Sequence, residues 1–264
     1  RSTLFPYTTL FRSSYLLTSG DAEGAIDAFI KANDCEMYHE VIDEAEKQGK
    51  FEELIKYLTM ARNIKKDKFI DGELVYSLSR CNKLTELEAL LSQSNINDLN
   101  NIADRLYNEQ FYEPAKIIYE HLGNNARLAS CYVHLKNYTQ ALSAAKRSNT
   151  QKCWKEVCFS CIKAGEFKLA GQAGNYVIQS ADMVEEVIEE YEKYGAYEEL
   201  INLFESNLVG ERNHIITELG ILYAKYQQEK LMDHCRNYDS NMNVHKVIRN
   251  CEQNYCWEEV VFLY

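Results

Sequence analysis

"GKFEELIKYL" begins at Gly49 and "GAYEELINLF" at Gly195, so the chain writes nearly the same phrase twice, far apart. Neither copy holds a nucleophile, a metal-ligand pair or a phosphate loop, which marks the phrase as a building part. Its apolar residues Phe51, Leu54, Ile55 and Leu58 fall at i, i+3, i+4 and i+7, one face of an amphipathic helix. The second copy supplies Tyr197, Leu200, Ile201 and Phe204, and a third supplies Trp257, Val260, Val261 and Tyr264. Looser versions start at Ala22, Leu84, Tyr112, Tyr138 and Phe167, and a degenerate one starts at Gln228.

Successive starts are separated by 29, 33, 28, 26, 29, 30, 31 and 29 residues, a mean of about 29. Each gap leaves room for a second helical stretch, such as "YHEVIDEAEKQ", "LNNIADRLYN" or "MVEEVIEEYEKY". No stretch sustains the Val/Ile/Thr alternation of a strand. The expected fold is all-α: an α-solenoid of stacked helical hairpins with a period of about 29–30 residues, because one hairpin cannot bury its apolar face alone. Phe51, Leu84, Tyr112, Tyr138, Phe167, Tyr197 and Trp257 are the expected repeat-core anchors. Gly49, Gly165 and Gly195 fall in the turns between paired helices, where glycine easily tolerates a left-handed backbone. Pro114 aligns with Glu53 in a first helical turn, where a missing N–H costs little.

Composition limits the function classes. The chain has 264 residues, 46% hydrophobic and 26% charged, which suits a folded domain rather than a disordered one. No apolar run approaches the roughly 18 residues needed to cross a bilayer. A net charge of −11 disfavours nucleic acid as a partner and direct docking on anionic lipid. Residues 1–13 stand apart: Thr3–Ser13 matches one reading frame of a common sequencing-adapter oligonucleotide, beginning ACA CTC TTT CCC TAC. We read 1–13 as non-native, against a genuine aromatic arm or signal remnant, and 14–264 as one continuous solenoid. The chain lacks an initiator Met and stops inside "VVFLY", which reads as truncation at both ends.

Several residue sets invite a chemical reading. Cys153, Cys158 and Cys161 have the C-x4-C-x2-C spacing of an iron–sulfur ligand set. They lie on one face of a helical stretch with Trp154 and Val157, and no fourth cysteine follows suitably, so core packing is the expectation. The nine cysteines, odd in number and scattered singly elsewhere, suit reduced thiols. The acid pairs Glu52/Glu53, Glu198/Glu199 and Glu258/Glu259 recur at one repeat position, so they complement helix dipoles rather than form a catalytic dyad. No histidine among 39, 121, 134, 214, 234 and 245 completes a metal or nucleophile motif, and His234 is expected at the surface beside a packed Cys235. Gly165, Gly171 and Gly174 lack the strand and lysine of a phosphate loop and fit close helix packing. Lys146, Arg147, Lys152 and Lys155 reverse the local charge, as a solvated hairpin tip or a surface for an acidic partner helix. No catalytic, cofactor or metal residue is expected.

The tetratricopeptide repeat has a 34-residue period and a turn proline, and HEAT or armadillo units are longer. Hairpins varying around thirty residues resemble the clathrin heavy chain repeat. "GAIDAFIKAND", "EELIKYLTMAR", "ARLASCYVHL", "WKEVCFSC", "YEELINLFES", "TELGILYAKY" and "WEEVVFLY" are similar to that family's leg in the same order, over residues 14–264. The resemblance implies a non-enzymatic coat protein without cofactors, whose legs pair with other heavy-chain legs in a lattice on coated pits and the cytoplasmic face of vesicles. It implies the distal end, knee and start of the proximal leg, with light-chain contact toward the C-terminal third. It further implies membrane association through adaptors rather than insertion. This stretch shows neither the family's propeller nor its trimerisation segment. Two alternatives stay open: a scaffold subunit of another vesicle-tethering complex with the same repeat, and an enzyme or cluster protein using Cys153, Cys158 and Cys161.

Overall fold

The computed structural model describes residues 15–17, 19–93, 96, 98–208, 210 and 212–264. Residues 1–13, read above as non-native, lie outside that set. The described residues form helices α1 (Ala22–Ala32), α2 (Tyr38–Gln48), α3 (Phe51–Ile64), α4 (Lys68–Arg80), α5 (Leu84–Gln93), α6 (Leu99–Asn108), α7 (Tyr112–Leu122) and α8 (Asn125–His134) in a first unit, Arg1–Leu135. The second unit, Lys136–Tyr264, holds α9 (Tyr138–Ser148), α10 (Gln151–Ala164), α11 (Phe167–Val177), α12 (Ala181–Lys193), α13 (Tyr197–Glu205), α14 (Asn213–Tyr226), α15 (Leu231–Tyr238), α16 (Val244–Gln253) and α17 (Trp257–Leu263). No strand occurs among the described residues. Within each unit a helix packs on its chain neighbour and on the helix two further along, as α1 does on α3, α4 on α6, α11 on α13 and α14 on α16. Each unit is thus an all-α stack of helical hairpins, an α-solenoid.

The register expected from the repeat is the one the helices adopt. Ala22, Phe51, Leu84, Tyr112, Tyr138, Phe167, Tyr197 and Trp257 are each the first residue of a helix. Two residues before each stands one with left-handed backbone: Gly20, Gly49, Asn82, Gln110, Lys136, Gly165, Gly195 and Tyr255, with φ between 55° and 82°. The amide that follows it bonds back to a carbonyl five residues earlier: Asp21 to Leu16, Lys50 to Ala45, Lys83 to Leu78, Phe111 to Leu106, Glu166 to Cys161, Ala196 to Tyr191 and Cys256 to Cys251, at 2.9–3.1 Å. This closure satisfies carbonyls orphaned at the end of one helix and reverses the chain into the next. Pro114 sits in the first turn of α7, as its missing N–H allows.

Burial follows the same register. The residue three positions into each of these helices is Ala25, Leu54, Leu87, Ala115, Ala141, Ala170, Leu200 or Val260, and all are buried. Trp154, Tyr57, Tyr119, Tyr191, Phe29 and Phe204 are the bulkiest fully buried side chains. Phe29 and Phe204 each contribute roughly 1.5–3 kcal/mol by removal from water, an upper bound for a compact unfolded chain, whereas the buried Tyr57 and Tyr191 hydroxyls lack a partner among the described residues and offset part of their rings' gain.

The degenerate copy departs from the pattern. No left-handed residue precedes it; Gln227 has φ −142° and ψ 66°, and a 3-10 turn, Gln228–Lys230, delays the helix until Leu231. Leu231 still fills the buried third position, fully enclosed, so the layer is present but its helix is short. His234 is not at the surface, as expected from sequence, but 5% exposed. Its Nε2–H donates to the Ile216 carbonyl at 2.9 Å, and its ring lies against Gly220, where a Cβ would stand 3.3 Å from Cδ2. The missing Cβ lets the short α15 sit close on α14 and take the imidazole inside; burial pushes its pKa down.

Two outcomes are expected in urea denaturation. Gly49→Ala, at φ +68° with open space around the new methyl, loses about 1 kcal/mol, whereas Gln110→Gly, at φ +67° and exposed, gains about the same. Leu200→Ala loses about 2–5 kcal/mol, and Tyr197→Ala in the same helix, 37% exposed, loses clearly less.

Candidate interaction surface

The seven anchor residues line the edge where each hairpin turns, rather than the fully buried interior. Phe51, Leu84, Tyr112, Tyr138 and Phe167 are half-buried, while Tyr197 and Trp257 are exposed. Their position explains this, since a first helical residue lies at the rim of the two packed layers. Several reach across to a neighbouring helix. Phe51 meets Tyr76 edge-on at 6.0 Å beneath the Arg80 guanidinium at 4.8 Å. Tyr112 stacks on His134 at 4.3 Å, and Tyr197 on Tyr226 at 4.2 Å. Phe167 lies 6.4 Å from Tyr191.

Polar links along this rim join residues about one repeat apart. In the first unit Lys50 Nζ meets Glu23 at 2.9 Å, 27 residues away, and Tyr38 donates to Asp67 at 2.9 Å, 29 residues away. In the second, Gln151 donates to the Val177 carbonyl, Lys163 meets Glu190, Lys225 meets Glu192 and Lys246 meets Glu218. The densest cluster centres on Glu109, which accepts from Tyr76 at 2.8 Å, Arg80 at 2.7 Å and Arg105 at 3.3 Å. Arg105 also lies 3.7 Å over the Tyr76 ring and 3.4 Å from Glu46. Burial pushes the Glu109 carboxyl up, but hydrogen bonds from Tyr76 and Arg80 with the Arg105 charge outweigh it, holding its pKa below the ordinary value. Burial, and then Glu109 itself, push Tyr76 up to about 12. Such half-exposed pairs contribute about 0.2–1 kcal/mol each, so they fix register more than they supply stability.

The sets that invited chemistry are absorbed into packing. Cys153, Cys158 and Cys161 share the buried face of α10, and Cys158 Sγ donates to the Ala170 carbonyl at 3.5 Å. Burial pushes all three thiols up, Cys161 to about 12, which leaves them poor nucleophiles. No group of three or more His, Cys, Asp or Glu side chains among the described residues is placed to hold a metal ion. Glu52/Glu53, Glu198/Glu199 and Glu258/Glu259 occupy first helical turns. Gly165 caps α10, and Gly174 lies so close to Leu203 that a Cβ would stand 2.9 Å from its Cδ2.

Gly171, expected from sequence to serve close helix packing, opens a groove instead. A groove of ≈ 480 Å³ runs between α11 and α13, floored by Phe167, Gly171 and Leu203 and rimmed by Gln172 and Asn202. Gly171 takes the repeat position filled by Ile26, Ile55, Leu142 and Ile201 in other copies, and nothing stands within 4 Å of its would-be Cβ. A glycine where those four copies carry an aliphatic residue, although Glu88 and Lys116 take the place in two others, was the available signal.

The family described as "Region in Clathrin and VPS" matches residues 29–169 and 175–264. A clathrin heavy chain 2 of Oryza sativa subsp. japonica is 42% identical over 250 residues, covering 94% of this chain and 15% of its own length. The clathrin heavy chain of Dictyostelium discoideum is 43% identical over 241 residues, covering 90% and 14%, and clathrin heavy chain 2 of Homo sapiens is 38% identical over 242 residues, covering 91% and 15%. The chain therefore spans 14–15% of the length of these relatives. Among solved structures, the TPR domain of P58(IPK) aligns over 98% of this chain and 90% of its own at 16% identity, but a TM-score of 0.28 is too low to inform the fold. A helical-hairpin register, a core without reactive chemistry and identity spread along nearly the whole sequence lead to one conclusion: the chain belongs to the clathrin heavy chain repeat family, the region shared by clathrin and VPS proteins.

Proposed function

We propose that this chain is a structural, non-enzymatic leg segment of a clathrin-type coat. Its partners are other heavy-chain legs, packed side by side in a lattice on coated pits and the cytoplasmic face of vesicles. A clathrin light chain contacts it toward the C-terminal third, residues 177–264, and adaptors connect the coat to the membrane. It needs no cofactor and takes no nucleic acid. Phe51, Leu84, Tyr112, Tyr138, Phe167, Tyr197 and Trp257 set hairpin spacing in this reading and touch no ligand. The observation that carries it is similarity to clathrin heavy chains over 90–94% of the chain, spread across repeats instead of gathered at one motif. The packing agrees: within each unit, links about one repeat apart tie neighbouring hairpins together, and eight of the nine cysteines are buried. No helix among the described residues is long and apolar enough to cross a membrane. Since the matching family also covers VPS proteins, a scaffold role in a vesicle-tethering complex is the second reading.

A chimaera tests the first. Residues 14–264 replace the matching segment of the Dictyostelium heavy chain, and the purified protein is placed under assembly conditions. The coat reading expects sedimentable cages and retained light chain, with light-chain retention lost when 177–264 revert to an unrelated helical repeat. Chimaeric heavy chains that fold and trimerise but stay unassembled would contradict it and favour the tethering scaffold.

A further inference from the structure

From residue 121 to 155 the chain has no aspartate or glutamate, yet carries Arg127, Lys136, Lys146, Arg147, Lys152 and Lys155. The contrast within the second unit is sharp: residues 156–264 hold nine Lys/Arg against nineteen Asp/Glu. The fold gathers most of the positive charge at one place. Lys146 and Arg147 stand in the last turn of α9, Lys152 in the first turn of α10 and Lys155 one turn further on. Lys155 is engaged by Glu186. Lys146, Arg147 and Lys152 are exposed, and no carboxylate among the described residues pairs with them, whereas Lys163, Lys225, Lys230 and Lys246 in the same unit each have one.

This tip is held rigidly. Asn149, left-handed at φ 48°, turns the chain between the helices, and its Oδ1 accepts from Nε1 of the buried Trp154 at 3.3 Å. The indole stacks on Tyr176 at 4.1 Å, and Tyr176 leaves its other face partly open to solvent. Ser148 and Thr150 hydroxyls meet at 3.0 Å, and Gln151 ties the start of α10 to the Val177 carbonyl at 2.9 Å. The N-terminus of α10, whose Thr150 makes no side-chain cap, adds its positive dipole end to the three cations. A backbone already ordered at the tip leaves only the side-chain rotamers to be fixed on pairing.

We propose that the α9–α10 junction docks an acidic segment of a partner polypeptide, whose carboxylates pair with Lys146, Arg147 and Lys152. The charge pattern selects this occupant. A broad anionic surface, such as a bilayer, would also face the acidic remainder of the unit, while a narrow acidic segment meets only the tip. The inference stands apart from the coat reading, because any acidic partner would satisfy it.

The test uses the whole chain and a fluorescein-labelled Glu-rich peptide, with a Gln-for-Glu peptide as control, read by fluorescence anisotropy. The Glu peptide is expected to bind, weakening at least about tenfold between about 0.05 and 0.3 M salt. Lys146→Glu/Arg147→Glu/Lys152→Glu should weaken it by at least about tenfold while leaving the helical circular dichroism unchanged. Reversal of Lys168, Lys193 and Arg249, exposed elsewhere in the unit, should leave it within about twofold. Equal loss in both triple variants, equal binding of the Gln peptide or no binding at low salt would overturn the proposal. Tighter binding to phosphatidylserine vesicles than to the peptide would overturn it too, in favour of a membrane contact.

Discussion

The structure rests on one demand, that the side chain three residues into the second helix of each hairpin be covered. Leu54, Leu87 and Leu200 leave no surface exposed, and where the residue is Ala25, Ala115, Ala141 or Ala170 the helices themselves come close enough to enclose the methyl. A lone hairpin cannot meet this demand, so burial is supplied by its neighbours. The left-handed residue at each junction serves it by turning the second helix back at a fixed point, which places the third position against the same layer every time. Period, topology and the absence of strands among the described residues follow from that arrangement.

The interior this creates is chemically quiet. Thiols that share a helix face, as in α10, are buried and pushed up in pKa instead of being presented to a ligand. Several charged groups pair at the rim, Glu109 with Tyr76, Arg80 and Arg105, and Glu205 with Tyr223 and Lys230. At the α9–α10 tip three exposed cations stand close together with no carboxylate paired to them among the described residues, and for that reason they carry the further inference.

Much of this was readable in the residues, for identifiable reasons. Glycines at 49, 165 and 195 marked junctions because left-handed backbone favours them, and the i, i+3, i+4 pattern set the start of each helix. Gln110, Lys136 and Tyr255 adopt the same backbone without a local signal; only the period points to them. Weight within the template was harder to read. An aromatic at the first position looks like the core in sequence, yet Trp257 is 56% exposed while a small Ala170 three layers away is fully enclosed. His234 was misplaced because its burial depends on Gly220, fourteen residues earlier on a different helix. The groove over Gly171 likewise exists only once α13 is packed beside α11.

The most direct test is measurement of backbone φ by NMR at the four junction residues that are not glycine: Asn82, Gln110, Lys136 and Tyr255. Helical hairpins repeating through one common turn require positive φ at all four, at two residues before the next helix. Ordinary negative φ at two or more of them, or helices running through those positions, would contradict the account.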